Sequence, residues 1–354
     1  MIRLFRATNF RCLKSVELEL GPRFNLISGA NASGKTSLLE ALAYLGRGKS
    51  FRGASTADLT RHNESEFVLF GEVERAEGWL AVGVRNSREG LEVRVGGESA
   101  PGAAALASAL PLQVIDPEVH NLVAGGPEQR RRFLDWVAFH VEHEHLMIWR
   151  RFRRALKQRN AALKARSTEA TIRSWNAEFL GLAEQLDSSR RRVLDLTMDS
   201  LQEHGLLLLE TELAFEYQQG WSRERDLAAA LEGGIERDRQ LGATQSGPHR
   251  ADIKISYDDR QARKLVSRGQ QKLLASAMIL AATETAQAAL EKPLLLLLDD
   301  PAAELDGDAI ARLMSAVSAL GCQVVATSLD PEALVFPEKP RRFHVEQGAV
   351  TAPT

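Results

Sequence analysis

Cysteine is nearly absent from the sequence: only Cys12 and Cys322 occur among 354 residues, near opposite ends of the chain. Two isolated thiols exclude a disulfide-stapled scaffold and a cysteine zinc motif, and they fit reduced thiols in a cytosolic protein. Long apolar runs are also missing, because the longest, Ala103–Leu110 and Leu294–Leu298, cannot cross about 30 Å of hydrocarbon. The first ten residues lack the apolar core of a signal peptide. We therefore expect a cytoplasmic protein with no membrane-spanning segment.

A strong excess of one charge is absent as well. The sequence has 45 Lys and Arg against 47 Asp and Glu, which gives a formal net charge of −2. Hydrophobic residues make up 44% and charged residues 26%, a composition typical of globular proteins. The length suggests two domains or lobes. Any nucleic-acid-binding surface must therefore come from an uneven distribution of charge.

The order of predicted elements indicates an α/β part built from both chain ends, with a helical insertion between them. Alternating apolar and polar residues predict strands in the first hundred residues, and the segment from 127 to about 204 has a helical composition. Further strands are predicted at Phe24–Ile27, Glu210–Tyr217, Leu294–Leu298 and Gln323–Ala326. We predict one lobe over residues 1–110 and 291–354, and a second over 111–290.

Residues 29–36, Gly-Ala-Asn-Ala-Ser-Gly-Lys-Thr, match the phosphate-loop pattern G-x-x-x-x-G-K-[ST] between a predicted strand and a predicted helix. The glycines let backbone N–H groups converge on phosphate oxygens, and the helix N-terminus adds a positive dipole end. Lys35 can reach the β- and γ-phosphates, and the Thr36 hydroxyl is a Mg²⁺ ligand. The predicted ATP-binding residues are Gly29, Ala30, Asn31, Ala32, Ser33, Gly34, Lys35, Thr36 and Ser37.

A second acidic site follows the apolar run Leu294–Leu298. A continuous apolar run is typical of a central parallel strand buried on both faces, and ligands collect at the carboxyl ends of such strands. Asp299 is therefore predicted to hold Mg²⁺, and Asp300 to orient or deprotonate the attacking water. An Asp-Asp-Pro turn that merely closes a strand is the alternative.

The motif Ser267-Arg-Gly-Gln270 precedes a long apolar segment, and Ser267 with Gln270 predicts a capping box at a helix start. Its place between the phosphate loop and the Asp299-Asp300 strand end indicates more than a cap. With this order of motifs the sequence resembles the ABC-type ATPases, whose signature is a Ser-x-Gly-Gln helix start.

The resemblance implies an ABC-type ATPase head, two-lobed and similar to the SMC heads, with a helical insertion and no long coiled coil. In that family the signature of one subunit caps the γ-phosphate held by the other, a role that falls here on Ser267, Arg268, Gly269 and Gln270. The resemblance also implies a D-loop aspartate at Asp306 and a Q-loop glutamine at Gln113.

Two positions depart from the family pattern. Asp300 stands where Glu is usual, and Thr327-Ser328 occupy the position of the switch histidine. A shorter base and a missing histidine predict slow hydrolysis, which suits a clamp or timer better than a motor or pump.

The predicted helical insertion contains a local concentration of positive charge. Eight cations and no carboxylate lie between Trp149 and Arg166, which creates a strong local field despite the overall charge. The predicted DNA-contacting residues are Arg150, Arg151, Arg153, Arg154, Lys157 and Arg159. A solvated helix face paired with acids elsewhere in the fold is the alternative.

Beyond these motifs, the whole chain resembles the RecF family of bacterial recombination mediators. The residues that carry this resemblance are Asn9–Arg11, Leu39–Ala41, Lys49–Arg52, Gly125–Pro127, Arg131–Asp135, Gln158–Asn160, Ser246–Arg250 and Ser267–Lys272. The resemblance implies a weak, DNA-linked ATPase that dimerises around ATP and binds double-stranded and gapped DNA in the nucleoid. It further implies action with RecO and RecR to load RecA onto strands coated by SSB, in replication-fork maintenance and the SOS response.

The soluble ATPase subunit of an ABC transporter is the main alternative. The missing switch histidine and the long separation between Lys35 and Ser267 disfavour it. A phage-defence ATPase of related fold would usually carry an appended nuclease domain, and purely structural DNA binding would leave Asp299 and Asp300 unexplained. The turn-forming run Gly247–Arg250 has no mechanism that the residues alone supply; a nucleotide- or DNA-sensing loop is what the family resemblance suggests.

Overall fold

The computed structural model describes residues 1–75, 78–257, 260–262 and 267–351. The chain forms two compact units, Met1–Val119 with Glu291–Thr354, and His120–Leu290. We predicted the division after residue 110, but strand β8 (Leu112–Ile115) pairs in parallel with a strand from the C-terminal part of the chain. The first unit therefore continues to Val119.

The first unit contains a six-stranded, mostly parallel sheet in the order β15-β14-β3-β13-β12-β8. Besides β8, its strands are β3 (Phe24–Ser28), β12 (Leu295–Leu298), β13 (Gln323–Ser328), β14 (Arg341–Glu346) and β15 (Ala349–Thr351). Strands β12 and β13 are buried along their whole length, as their continuous apolar runs predict. Because β3, β13 and β12 are parallel neighbours, their carboxyl ends share one edge of the sheet.

An antiparallel sheet in the order β2-β1-β4-β5-β6-β7 completes this unit. Its strands are β1 (Ile2–Phe10), β2 (Leu13–Glu19), β4 (Glu66–Arg75), β5 (Gly78–Ser87), β6 (Gly90–Val95) and β7 (Glu98–Ser99). The core between the sheets is filled by helix α1 (Lys35–Arg47), whose Tyr44 packs edge-on against Phe67 with ring centres 5.2 Å apart. The remaining helices of this unit are α2 (Thr56–Leu59), α3 (Ala103–Ala109) and α12 (Gly307–Ala319).

The second unit is mainly helical. Its helices are α4 (Asn121–Ala124), α5 (Pro127–Val141), α6 (His145–Lys164), α7 (Glu169–Ser174), α8 (Asn176–Leu209), α9 (Leu227–Gly233), α10 (Ile235–Leu241) and α11 (Arg268–Leu290). Helix α8, with 34 residues, is about 51 Å long and packs against α6 and α11. A small antiparallel sheet in the order β11-β10-β9 is formed by β9 (Leu213–Gln218), β10 (Asp252–Tyr257) and β11 (Arg260–Gln261). Strand β9 starts later than predicted because Glu210 ends α8 in a left-handed conformation, with φ 57°.

One helix of the second unit has the length and apolar composition that a membrane-crossing helix requires. This helix is α11, and 61% of its most apolar stretch is buried inside the protein. It packs against α8 and α5, so its apolar composition is accounted for by the core of this unit. The Ser267–Gln270 capping box predicts this helix, and polar residues such as Ser276 and Thr283 interrupt its apolar run.

Candidate functional site

The phosphate loop connects the end of β3 to the start of α1. Gly29 and Gly34 have φ values of +151° and +116°, which glycine adopts far more readily than other residues. A Cβ on Gly29 would also collide with the backbone carbonyl oxygen of Val345. The Lys35 ammonium donates to the carbonyl oxygens of Gly29 and Ala30, at 2.8 and 2.9 Å. The predicted residues 29–37 therefore lie together in one loop and the first turn of α1.

Asp299 follows β12 and lies opposite the loop. The Thr36 hydroxyl donates to Asp299 Oδ1 at 3.0 Å, so two residues 263 positions apart meet at the carboxyl edge of the sheet. The Asp299 side chain is buried, and burial raises its pKa, while hydrogen bonds from Thr327 and Thr36 oppose that rise. A hydroxyl and a carboxylate at this distance fit Mg²⁺, which prefers oxygen ligands.

Thr327, at the end of β13, stands where ABC-type ATPases have the switch histidine. Its hydrogen bonds within the site are not predicted by the sequence. Its hydroxyl donates to Asp299 Oδ1 at 2.9 Å and accepts the backbone N–H of Asp300 at 2.9 Å. Asp300 is partly exposed and has a left-handed backbone, with φ 46°. Asp300 directly follows the predicted metal ligand Asp299, and its role as the base for water stays a prediction.

Gln113 does not lie at this edge of the sheet. It pairs in register with Leu296, two residues before the end of β8, and its Oε1 accepts from Arg47 Nη2 at 3.0 Å. The Q-loop assignment is therefore wrong in position, because a buried mid-strand glutamine points to a structural partner. The residue that follows β8 is Asp116, whose pKa is raised to about 6, mainly by burial and in smaller part by the neighbouring Asp299 charge.

Asp306 caps helix α12. Its Oδ1 accepts the backbone N–H of Ala309 at 2.8 Å, which stabilises the helix start. The same residue is the predicted D-loop aspartate, so the cap fixes its backbone while the role towards a second subunit stays a prediction.

The signature residues begin helix α11 in the second unit, and the predicted capping box is confirmed. The Ser267 N–H donates to Gln270 Oε1 at 2.9 Å, and the Gln270 N–H donates to Ser267 Oγ at 3.3 Å. Ser267 and Arg268 are exposed at the helix N-terminus, and Gly269 and Gln270 are half-buried. An exposed helix N-terminus of this kind presents its positive dipole end to an anion.

Helix α6 presents most of the predicted cations to solvent. The exposed residues Arg150, Arg151, Arg153, Arg154 and Lys157 are named the basic surface below. None of the five forms an ion pair within the residues that the structure describes, which disfavours the alternative of a neutralised helix face. Phe152 is buried and Trp149 half-buried, with the Arg153 guanidinium 4.7 Å from the centre of the Trp149 ring.

Arg159 does not belong to the basic surface. It is fully buried, and its Nη1 donates to Asp238 Oδ2 and Thr244 Oγ1, both at 2.7 Å. The prediction was wrong for this residue because its position turns it to the inner side of α6, where it neutralises a buried carboxylate.

The run Gly247–Arg250 forms a short 3-10 turn in the second unit. The Pro248 carbonyl accepts from Arg190 Nη1 at 2.6 Å, and His249 Nε2 lies 2.8 Å from the Thr244 carbonyl. Burial lowers the pKa of His249 to about 4. These contacts give the run Gly247–Arg250 a structural role within its unit, while Arg250 stays exposed.

Comparison with known proteins supplies a family. The model of the RecF/RecN/SMC N-terminal domain family matches residues 1–351. The DNA replication and repair protein RecF of Edwardsiella ictaluri is 41% identical over 347 residues, which cover 97% of each chain. RecF of Escherichia coli K12 is 38% identical over the same shares.

Solved structures show the same fold. A structure of the recombination mediator protein RecF with ATP, from the RecFOR pathway, has a TM-score of 0.89 at 24% identity and covers 100% of this chain and 97% of its own. An SMC head bound to the C-terminal winged-helix domain of ScpA has a TM-score of 0.62 at 15% identity, over 99% and 96% of the two chains. The predicted SMC-like ABC ATPase head without a long coiled coil is thereby confirmed.

Proposed function

The chain belongs to the RecF family, and from this membership we propose that it is an ATP-dependent DNA-binding protein of replication-fork maintenance and recombinational gap repair. One observation supports the ATP part above all: the phosphate loop, Thr36 and Asp299 meet at one edge of the parallel sheet. A glycine-rich loop alone is a weak sign, whereas a loop joined to a buried carboxylate from a distant strand strongly supports a triphosphate–Mg²⁺ site.

ATP would bind with its phosphates against the N–H groups of residues 29–34 and the N-terminus of α1. The Lys35 ammonium, which donates to two loop carbonyls, would turn towards the β- and γ-phosphates. Thr36 and Asp299 would hold Mg²⁺, which neutralises phosphate charge when bound. Thr327 keeps the Asp299 carboxylate aimed at Thr36.

Hydrolysis would use Asp300 to orient and deprotonate water in line with the γ-phosphate. The shorter aspartate reaches less far than glutamate, and Thr327 cannot stabilise transition-state charge as a switch histidine does. Both features favour slow turnover. We infer that the ATPase acts as a switch whose ATP-bound state lasts long enough to mark DNA.

Dimerisation would complete the site. The exposed N-terminus of α11, with Ser267 and the Gly269 N–H, is suited to contact the γ-phosphate held by a second copy. The Asp306 backbone would lie in the same interface as the D-loop. Hydrolysis removes the γ-phosphate that joins the two copies, so ATP shifts the population towards the dimer and ADP towards the monomer.

DNA binding would use the basic surface of both copies. Five unpaired cations on one helix attract phosphates, and dimerisation places two such surfaces on one duplex, which raises affinity through effective concentration. The partners in this proposal are duplex and gapped DNA, RecR and RecO, and, through them, RecA and SSB. The setting is the cytoplasm, in association with the nucleoid and the SOS response. Family membership over almost the whole chain leaves the transporter alternative without a supporting observation.

The deciding experiment is fluorescence anisotropy of labelled duplex DNA, titrated with protein in ATP, in ADP and without nucleotide at several salt concentrations. We expect the unsubstituted chain to bind tightly only with ATP. Lys35→Ala should lose this binding. Asp300→Asn should keep it after ATP is added, because this variant does not hydrolyse ATP to ADP. A plot of the logarithm of the binding constant against the logarithm of the salt concentration should have a negative slope of about 0.9 for each DNA phosphate that the protein neutralises. Equal weak binding in all three nucleotide states would contradict an ATP-gated DNA clamp.

A charge-reversed variant tests the basic surface itself. Arg153→Glu should weaken ATP-dependent DNA binding and reduce the salt slope. Arg88→Glu is the matched control, because Arg88 is an exposed, unpaired arginine in the turn after β5. An equal loss in both variants would assign the effect to net charge and contradict the proposed DNA surface.

A further inference from the structure

The second half of helix α8 exposes a surface that no step of the proposed function uses. We name it the acidic–leucine stripe, and it consists of Asp195, Leu196, Asp199, Glu203, Leu206 and Leu207. The three leucines are 61%, 55% and 42% exposed in chain order. Single exposed leucines are ordinary, but the adjacent Leu206 and Leu207, with Leu196 about three turns before them on the same side of the helix, repeat an apolar exposure that protein interfaces commonly cover.

Helical geometry places these six residues on one side of α8. At about 3.6 residues per turn, positions three, four, seven and eleven apart recur on one face, and Leu196 and Leu207 lie about 16 Å apart along the axis. The opposite side is buried through Val193, Thr197 and Leu201. His204 Nε2 lies 3.1 Å from Glu284 Oε2 of α11, which fixes the rotation of α8. The stripe is therefore a preformed, rigid surface.

The carboxylates of the stripe have no cationic partners. Asp195, Asp199 and Glu203 are exposed and form no ion pair with any residue that the structure describes. Earlier on the same helix, by contrast, Arg191 pairs with Asp187 and Arg192 pairs with Glu142, each at 2.8 Å. Among the exposed leucines, therefore, three carboxylates stand without an ion-pair partner in the part of the chain that the structure describes.

This chemistry defines the occupant. A row of carboxylates repels DNA phosphates, so nucleic acid is excluded. A complementary surface must offer apolar side chains that cover the leucines and Lys or Arg that pair with the carboxylates. The basic surface of a second copy could in principle pair with the stripe. Under the proposed function, however, DNA covers the basic surface in the ATP-bound state, so it is not available to the stripe.

We propose that the acidic–leucine stripe docks a partner protein through a basic surface that carries apolar side chains. This inference rests on the proposed function, in which RecR and RecO are the candidate partners. The basic surface of α6 would then bind DNA and the acidic–leucine stripe of the neighbouring α8 would bind protein. Because the two surfaces are separate, DNA and the partner protein can be bound at the same time.

The test measures binding of the ATP-bound chain to immobilised RecR and, separately, RecO from the same organism. Leu206→Ser and Glu203→Lys should both weaken binding to the same one of these two proteins, each by about tenfold or more. Glu184→Lys is the matched control, since Glu184 is an exposed carboxylate on α8 outside the stripe, and it should retain the original affinity. ATPase activity and duplex-DNA binding should be unchanged in all three variants.

Three results would overturn the inference. Equal losses in Glu203→Lys and Glu184→Lys would indicate a general charge effect. Failure of the unsubstituted chain to bind either protein would contradict the proposed docking. ATP-dependent DNA binding by the same preparation would test the proposed function independently. Sedimentation of the chain alone that shows self-association lost in Leu206→Ser would assign the stripe to a second copy.

Discussion

The hydroxyl of Thr327 donates to Oδ1 of Asp299 across 2.9 Å, between the ends of two parallel strands. The same hydroxyl accepts the backbone N–H of Asp300 at 2.9 Å, and Thr327 is completely buried. One side chain therefore orients the predicted Mg²⁺ carboxylate and holds the left-handed backbone that carries the predicted base. Thr327, which stands where ABC-type ATPases have a switch histidine, therefore acts by positioning Asp299 and Asp300.

Removing this hydroxyl should impair catalysis. Thr327→Val has nearly the same shape but removes the acceptor of the Asp300 N–H and leaves the buried Asp299 carboxylate with one donor fewer. An unsatisfied buried group costs about 1–3 kcal/mol, so we expect lower thermal stability together with a reduced kcat and weaker Mg²⁺-dependent ATP binding. Thr327→Ser keeps the hydroxyl and should stay close to the original in both assays. Activity retained by the valine variant would show that the hydrogen bond does not support the site.

The phosphate loop, the Asp299 strand end and the capping box of Ser267 could all be predicted, because each is a local pattern. The glycines, the apolar run and the Ser-x-x-Gln spacing encode their structure within a few residues. Thr327 could not be assigned this way. Its role depends on the parallel register of β12 and β13, which brings together side chains that are 28 positions apart.

The two incorrect site residues have related causes. The family resemblance implies a Q-loop role for Gln113, but the apolar residues around it do not show where strand pairing stops, and register puts it opposite Leu296 inside β8. Arg159 was grouped with its basic neighbours because charge alone does not show which side of a helix is buried. Its partner Asp238 lies 79 positions away, so only the tertiary fold identifies the pair.

The signature can be tested without disturbing the nucleotide site. Ser267→Arg adds bulk and charge at the exposed N-terminus of α11, whereas the phosphate loop and Asp299 lie in the other unit. We expect normal ATP binding by the isolated chain and loss of ATP-dependent dimerisation, measured by equilibrium dialysis and sedimentation velocity. Ser267→Thr retains a hydroxyl cap and is the control. A Ser267→Arg chain that still dimerises with ATP would disprove the signature assignment.

Two arginines of α6 should respond in opposite ways to the same change. Arg159→Met leaves the buried Asp238 carboxylate without its partner, and breaking a buried pair costs about 3–5 kcal/mol. Arg153→Met alters an exposed residue and should change stability by about 0.5 kcal/mol or less, while weakening DNA binding. Urea unfolding and DNA anisotropy on both variants separate the roles. Equal stability of the two variants would contradict the assignment of Arg159 to the core.

The two cysteines should differ in reactivity. Cys322 is buried and its pKa is raised to about 12, so its thiolate is scarce at neutral pH. Cys12 is exposed, and its Sγ would lie 3.0 Å from a Cβ on Gly34 of the phosphate loop. We expect a maleimide to modify one thiol per chain, at Cys12, and the adduct to weaken ATP binding. Mass spectrometry gives the site, Cys12→Ser should abolish labelling, and saturating ATP should slow it.

The stability of the second unit should depend on the protonation of His249. The ring nitrogen Nε2 donates to the Thr244 carbonyl at 2.8 Å, and Nδ1 is buried with no hydrogen-bond partner among the residues that the structure describes. Burial, with Arg250, Arg131 and Arg159 nearby, lowers the pKa to about 4. A second proton on the ring would therefore be buried without an acceptor.

Because the folded pKa lies below the ordinary value of about 6.5, the unfolded chain binds the extra proton first, and acid favours unfolding. The contribution is absent above about pH 7.5 and grows as the pH falls, reaching about 2 kcal/mol of lost stability near pH 5. His249→Gln can still donate to the Thr244 carbonyl but cannot take up a proton, so the fall in unfolding free energy between these two pH values should shrink by that amount. The exposed His62→Gln should leave the pH dependence unchanged. Identical pH profiles for the original chain and His249→Gln, measured by urea unfolding, would show that His249 is not the group through which acid destabilises this unit.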